Sequence, residues 1–160
     1  MKINYTKIII TLSLLVTYSQ VNAQWDEVES NDDIYQGQEN DFKQESFEIV
    51  LEAQEAIEYK FDMKKNDSIV YQWTSNIESA ELLPVEFHGH THINPDSDSE
   101  ILGTLIFYKK HSDGEEKGSL TAPFDGIHGW YVENNSDQEI TIKLDVAGWY
   151  EKTLRLPVPR

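Results

Sequence analysis

Alternating apolar and polar residues recur in short runs through most of the chain. The clearest run spans residues 56–63 and places Ile57, Tyr59, Phe61 and Met63 on one face. A period of two, carried by β-branched and aromatic residues, predicts half-buried β-strands. The runs that we predict as strands are residues 47–51, 56–63, 68–75, 82–90, 104–110, 118–121, 127–133 and 139–147.

Short polar segments separate these runs. Residues 64–67 predict a hairpin turn between the second and third strands, and residues 134–138 predict another between the last two. About seven or eight short strands with turns every eight to twelve residues or so predict an all-β protein, an antiparallel β-sandwich. The C-terminal LRLPVPR contains two prolines, so we expect it to be an edge extension or a tail.

The N-terminal segment has the order of a secretory signal peptide. Lys2 and Lys7 precede an apolar run, and small residues come before an expected cleavage after Ala23. We therefore divide the chain into a signal peptide (1–23), an acidic disordered linker (24–44), a sandwich domain (45–153) and a tail (154–160). This predicts a periplasmic or secreted protein, and an uncleaved N-terminal membrane anchor is the alternative.

Charge and cysteine content narrow the possible functions. The formal net charge is −16 at pH 7, which repels nucleic-acid phosphates and anionic lipids, so we expect no nucleic-acid partner. The chain contains no cysteine, which excludes disulfides, thiolate ligands and a lipoprotein anchor. No motif that would activate a nucleophile is present, so we expect a non-enzymatic binding or accessory module.

Three of the five histidines alternate in VEFHGHTHINPD, residues 85–96. In a strand, His88 and His90 share a face and lie about 7 Å apart, close enough to hold one metal ion. His92 lies too far along a straight strand to join them. A third donor must therefore come from a bulge at Gly89 or from elsewhere in the fold.

His128, between two glycines, is the best candidate for that third donor. Weaker candidates are His111, Asp96, Asp98 and Glu100. Imidazole suits zinc, copper or nickel, so the predicted metal ligands are His88, His90 and His128. The alternative is that His88 and His128 hydrogen-bond to backbone at the sandwich rim.

Three segments carry a resemblance to a known family: residues 57–73, 85–90 and 118–150, with APFDGIHGWYVEN as the most specific part. They resemble bacterial extracytoplasmic proteins labelled "transmembrane anchor protein", which implies a GOLD-like β-sandwich, an envelope location and no known enzymatic activity. His88 and His128 match positions of that family's pattern. VESND and KKNDSI are also similar to phrases of secreted jelly-roll modules.

Two other functions remain open at this point. One is a protein-interaction domain that partners an envelope membrane protein. The other is a carbohydrate-binding sandwich, because exposed aromatic faces stack on sugars. The aromatic candidates are Trp73, Trp130, Tyr131, Trp149 and Tyr150, and the adjacent Trp130 and Tyr131 must point to opposite faces of their strand.

Overall fold

Residues 37–92 and 103–158 are described by a computed structural model, and the regular secondary structure of these residues is almost entirely β-strand. In chain order the strands of this part are β1 (Phe42–Leu51), β2 (Ala56–Met63), β3 (Ser68–Ser75), β4 (Val85–His90), β5 (Leu105–His111), β6 (Glu115–Thr121), β7 (Gly126–Glu133), β8 (Ile140–Trp149) and β9 (Thr153–Pro157). A short 3-10 helix, Ala80–Leu82, precedes β4.

The strands form two antiparallel sheets. The four-stranded sheet has the order β1-β8-β3-β6, and the five-stranded sheet has the order β5-β4-β7-β2-β9. The first eight strands pair as β1 with β8, β2 with β7, β3 with β6, and β4 with β5. This is the order of a jelly roll, in which one long antiparallel ladder is folded into two sheets. The expected all-β antiparallel sandwich is confirmed.

The core consists of the apolar residues that alternate inward along both sheets. Trp130 lies near its centre, with its ring centroid 4.7 Å from that of Tyr71, 4.8 Å from that of Phe87 and 6.2 Å from that of Phe61. These residues come from four different strands. The aromatic cluster therefore joins the two sheets and fixes which face of each sheet points outward.

The two predicted hairpins are wrong. Residues 64–67 connect β2 in the five-stranded sheet with β3 in the four-stranded sheet, and residues 134–138 likewise connect β7 with β8. A short polar loop can join strands that pack face to face as well as strands that hydrogen-bond to each other. The local turn signal does not distinguish these cases, whereas the jelly-roll order does.

The ends of the sandwich differ from the boundaries expected at residues 45 and 153. Strand β1 begins at Phe42, whose ring packs 5.1 Å from that of Trp149. Thr153–Pro157 pairs with β2 at the edge of its sheet, so this segment is an edge extension rather than a tail. Pro157 is tolerated there because an edge strand does not need every backbone donor.

The expected signal peptide and most of the expected linker lie outside the described residues. Within the part that is described, no helix has the length and apolar character needed to cross a membrane.

Candidate metal centre

The outer face of the five-stranded sheet carries two histidines and a glutamate side by side. On β4, Phe87 points into the core, so His88 and His90 point outward. On β2, the residues on either side of Glu58 are buried in the core, so Glu58 also points outward. Strand β7 lies between β2 and β4 and sets the distance across which these side chains must meet.

Gly129 on β7 leaves the space in which they meet. Its register partners are Lys60 on one side and His88 on the other. Since Gly129 has no side chain, the Lys60 side chain extends over it, and Nζ lies 2.7 Å from Nε2 of His88. Lys60 is fully buried although it lies on the outer face of the sheet.

The potential ligand atoms of Glu58, His88 and His90 all lie within 4.8 Å of one another. The Glu58 carboxylate is 3.3 Å from Nε2 of His88 and 4.0 Å from Nε2 of His90. The Lys60 ammonium is 3.9 Å from the same carboxylate. One carboxylate, two imidazoles and one ammonium therefore share a single small region of the surface.

Backbone carbonyls set the tautomers of both rings. Nδ1 of His88 is 3.1 Å from the Glu86 carbonyl, and Nδ1 of His90 is 3.0 Å from the Thr91 carbonyl. A carbonyl oxygen accepts hydrogen bonds and cannot donate, so each Nδ1 carries the hydrogen and donates. Each Nε2 is then the ring nitrogen with the lone pair, and in His88 that lone pair accepts a hydrogen bond from the Lys60 ammonium. A lone pair on Nε2 is what imidazole needs to bind a metal ion through that atom.

The ionisation of the cluster follows from its contacts. The pKa of the Glu58 carboxyl lies below its usual range, mainly because of its contact with the His88 ring; burial works against this effect, and the Lys60 charge adds to it. Burial lowers the pKa of Lys60 to about 8, although Glu58 and Glu86 oppose the change. At pH 7 the carboxylate is therefore ionised and Lys60 is still mostly protonated.

A cleft of about 410 Å³ opens above this cluster. Its polar lining includes Glu58, His88 and His90, and its apolar lining consists of Leu105, Phe107 and Tyr131. The cleft gives the three candidate ligands access from solvent.

His128 is not part of this group, which corrects the expected set of His88, His90 and His128. Its register partner is Gly89, so its ring lies on the inner face of the sheet while His88 and His90 lie on the outer face. Nδ1 accepts a hydrogen bond from the Tyr108 hydroxyl at 2.8 Å, and Nε2 donates to the Phe124 carbonyl at 3.0 Å. Both ring nitrogens are therefore already used.

The other sequence candidates lie elsewhere. His92 is exposed and contacts Asp62 at 3.0 Å. His111 stacks against Trp73 and contacts Glu116 at 3.2 Å. Asp96, Asp98 and Glu100 lie outside the described residues.

Three of the aromatic residues considered for sugar stacking belong to the core: Trp73, Trp130 and Tyr150. The prediction that Trp130 and Tyr131 face opposite sides is confirmed, because Trp130 is buried in the core and Tyr131 lines the outer cleft. Trp149 is half-buried against Phe42. These positions give no stacking platform of several exposed aromatic rings.

Glu58, Lys60 and Gly129 are not among the site residues predicted from the sequence. The sequence did contain a signal for Glu58 and Lys60. Both lie on the polar face of β2, whose apolar face was predicted from the alternation of residues 56–63. Choosing Glu58 among many acidic residues required the strand order β2-β7-β4, which no local pattern contains.

Comparison with protein-family models and with curated proteins finds no match to this chain.

Proposed function

We propose that this protein binds one divalent transition-metal ion through a carboxylate oxygen of Glu58 and the Nε2 atoms of His88 and His90. The observation that carries the proposal is the convergence of these three donors, with both histidine tautomers set by backbone carbonyls. Two imidazoles and one carboxylate suit zinc, copper or nickel.

The distances between donors support this assignment. Metal–ligand bonds of about 2.0 to 2.1 Å in a tetrahedral site place neighbouring donors roughly 3.4 Å apart. Nε2 of His88 is 3.3 Å from Oε1 of Glu58, and Nε2 of His90 is 4.0 Å from Oε2 of the same carboxylate. The three donors lie within 4.8 Å of one another, so the partly exposed His90 and Glu58 side chains have to move closer to His88 to hold one ion.

Lys60 is the main obstacle to an ion at this position. Its ammonium now donates a hydrogen bond to Nε2 of His88, the atom that would bind the metal. A metal ion therefore has to displace this hydrogen bond, and the two positive charges compete for the same electron pair and the same carboxylate.

We also propose that the protein acts outside the cytoplasm as a non-enzymatic binding or accessory module. The signal-peptide pattern of residues 1–23 supports this location, and the three-donor site supports a binding role. A role as a protein-interaction domain that partners an envelope membrane protein remains the alternative prediction.

Calorimetric titration of the purified protein with zinc, copper and nickel tests the metal assignment. We expect tight binding near one equivalent that is lost in His88→Ala and in His90→Ala. His92→Ala is the matched control, because its ring is exposed and lies outside the group. Equally weak binding of every divalent ion, calcium and magnesium included, would show that scattered carboxylates are responsible and would overturn the proposal.

A further inference from the structure

We propose that the metal-loaded site takes a second ligand, a small carboxylate with a short apolar chain. The carboxylate completes the coordination of the metal, and the chain lies against Leu105 and Phe107. This inference rests on the proposed function, because the metal ion supplies the main attraction for the carboxylate.

The cleft provides a place for such a ligand. Three protein donors leave at least one coordination position of a zinc ion open, as in zinc sites that bind small molecules. Since Glu58, His88 and His90 themselves line the cleft, the open position faces its interior. The volume of about 410 Å³ falls in the range of pockets that hold small organic molecules.

The apolar wall determines the rest of the ligand. Strand β5 is an edge strand, and Phe107 and Leu105 on it are the register partners of His88 and His90. Phe107 is 45% exposed and Leu105 is 54% exposed. The ring of Phe107 lies 5.4 Å from that of His88, so an apolar chain attached to a metal-bound group reaches this wall directly.

Charge complementarity favours an anion at the open position. The charges around the cluster are balanced, with Glu58 and Glu86 matched by Lys60 and Lys110. Lys110 binds Glu86 at 2.7 Å, and its ammonium lies 3.6 Å from the centroid of the Phe107 ring. A divalent ion therefore leaves the site with excess positive charge, which a carboxylate reduces and a neutral or cationic ligand does not.

Two probes of different chain length test this inference. The zinc-loaded protein is titrated with acetate and with hexanoate, after zinc binding has been measured alone. Each methylene group that becomes buried strengthens binding about threefold to fourfold, so we expect hexanoate to bind at least about tenfold more tightly than acetate.

Variants on β5 locate the effect. Phe107→Ser and Leu105→Ser should reduce the preference for hexanoate and leave the zinc affinity unchanged. Ile106→Ser is the matched control, because Ile106 is 37% exposed on the same strand but is not part of the cleft lining. The control should keep the full preference.

The possible failures are distinguishable. If zinc binds tightly but acetate and hexanoate bind equally, the inference is overturned and the proposed function stands. If hexanoate binds equally well without zinc, the metal does not hold the carboxylate and the inference is again overturned. If zinc itself does not bind, the proposed function fails, and this inference fails with it.

Discussion

Lys60 has a fully buried ammonium group that lies 2.7 Å from Nε2 of His88. Burying a charged group is costly unless nearby groups compensate for the lost hydration. Here Glu58 supplies the opposite charge and His88 supplies the lone pair. Lys60 therefore acts as an internal cation that balances the charge of the Glu58 carboxylate.

Replacing Lys60 by methionine should strengthen metal binding. Methionine fills a similar volume without the charge, so the ammonium no longer competes for His88 and Glu58. We expect zinc to bind at least about tenfold more tightly, measured by competition with a chromophoric chelator. Lys152→Met is the control, because Lys152 is exposed and pairs with Asp62 at 3.6 Å. Unchanged or weaker zinc binding in Lys60→Met would contradict this role.

His128 makes the stability of the fold depend on pH. Burial lowers its pKa; the hydrogen bond to the Phe124 carbonyl opposes this, and the nearby Lys60 lowers it further. The folded protein therefore holds His128 neutral, while the unfolded chain titrates near pH 6.5. As pH falls below about 6.5, the unfolded state binds more protons, and stability is lost.

Denaturant unfolding measured between pH 7.5 and 5 checks this expectation. The free energy of unfolding should fall over this range, and the fall should be smaller in His128→Gln, which keeps hydrogen-bonding capacity without the titration. His92→Gln is the control, because His92 is exposed and lies outside the core. Identical pH profiles for wild type and His128→Gln would exclude His128 as the cause.

At the scale of strands, the two faces of β4 have different histidine environments, because successive residues of a strand point to opposite faces. Gly89 points inward, and the Tyr108–His128 hydrogen bond fills the space beside it, where any Cβ would overlap both side chains. His88 and His90 point outward toward the proposed metal. Strand β4 therefore packs against one histidine, His128 of β7, on its inner face and carries two histidines of its own on its outer face.

Gly89→Ala should therefore destabilise the fold. The added methyl group has to displace His128 or Tyr108, and overpacking of this kind costs about 1 to 3 kcal/mol. The midpoint of guanidinium unfolding measures the loss. Gly114→Ala is the matched control, because a Cβ at that position makes ordinary contacts, the nearest at 3.7 Å. Equal stability of the two variants would show that the side chains around His128 rearrange at little cost in free energy.

A comparison of the strands with the sequence pattern shows which features of the fold could be predicted. Alternation located β2 and β3 to the residue and the other strands up to β8 to within about five residues, because half-buried strands require that pattern. It did not locate β9, whose segment was expected only as an edge extension or a tail. It also placed His88 and His90 on one face. It could not supply Glu58, which joins them across β7, because strand order depends on packing between residues far apart in the chain. The turns alone led to the wrong hairpins for the same reason.

On the scale of the whole molecule, a bound metal would connect two strands that are not hydrogen-bonded to each other. Glu58 lies on β2 and both histidines lie on β4, with β7 between them. A ligand that binds the folded state alone stabilises it by about 2.7 kcal/mol at a hundredfold excess over Kd. For a domain of this size, that corresponds to a rise in Tm of about 5 to 15 °C.

Thermal unfolding followed by circular dichroism, with zinc and then with excess chelator, checks this rise. We expect the shift to be reversible and to vanish in His90→Ala. His92→Ala should shift like the wild type. A rise of equal size in both variants would place the bound zinc elsewhere on the acidic surface.

The pairing of β9 with β2 affects the proposed metal centre, although none of its three donors lies on β9. Thr153–Pro157 shields the flank of the strand that carries Glu58 and Lys60. Cutting the chain before Thr153 would turn β2 into a sheet border, with freer backbone and more hydrated side chains. Proteolysis or truncation at this end would therefore loosen the carboxylate donor before either imidazole.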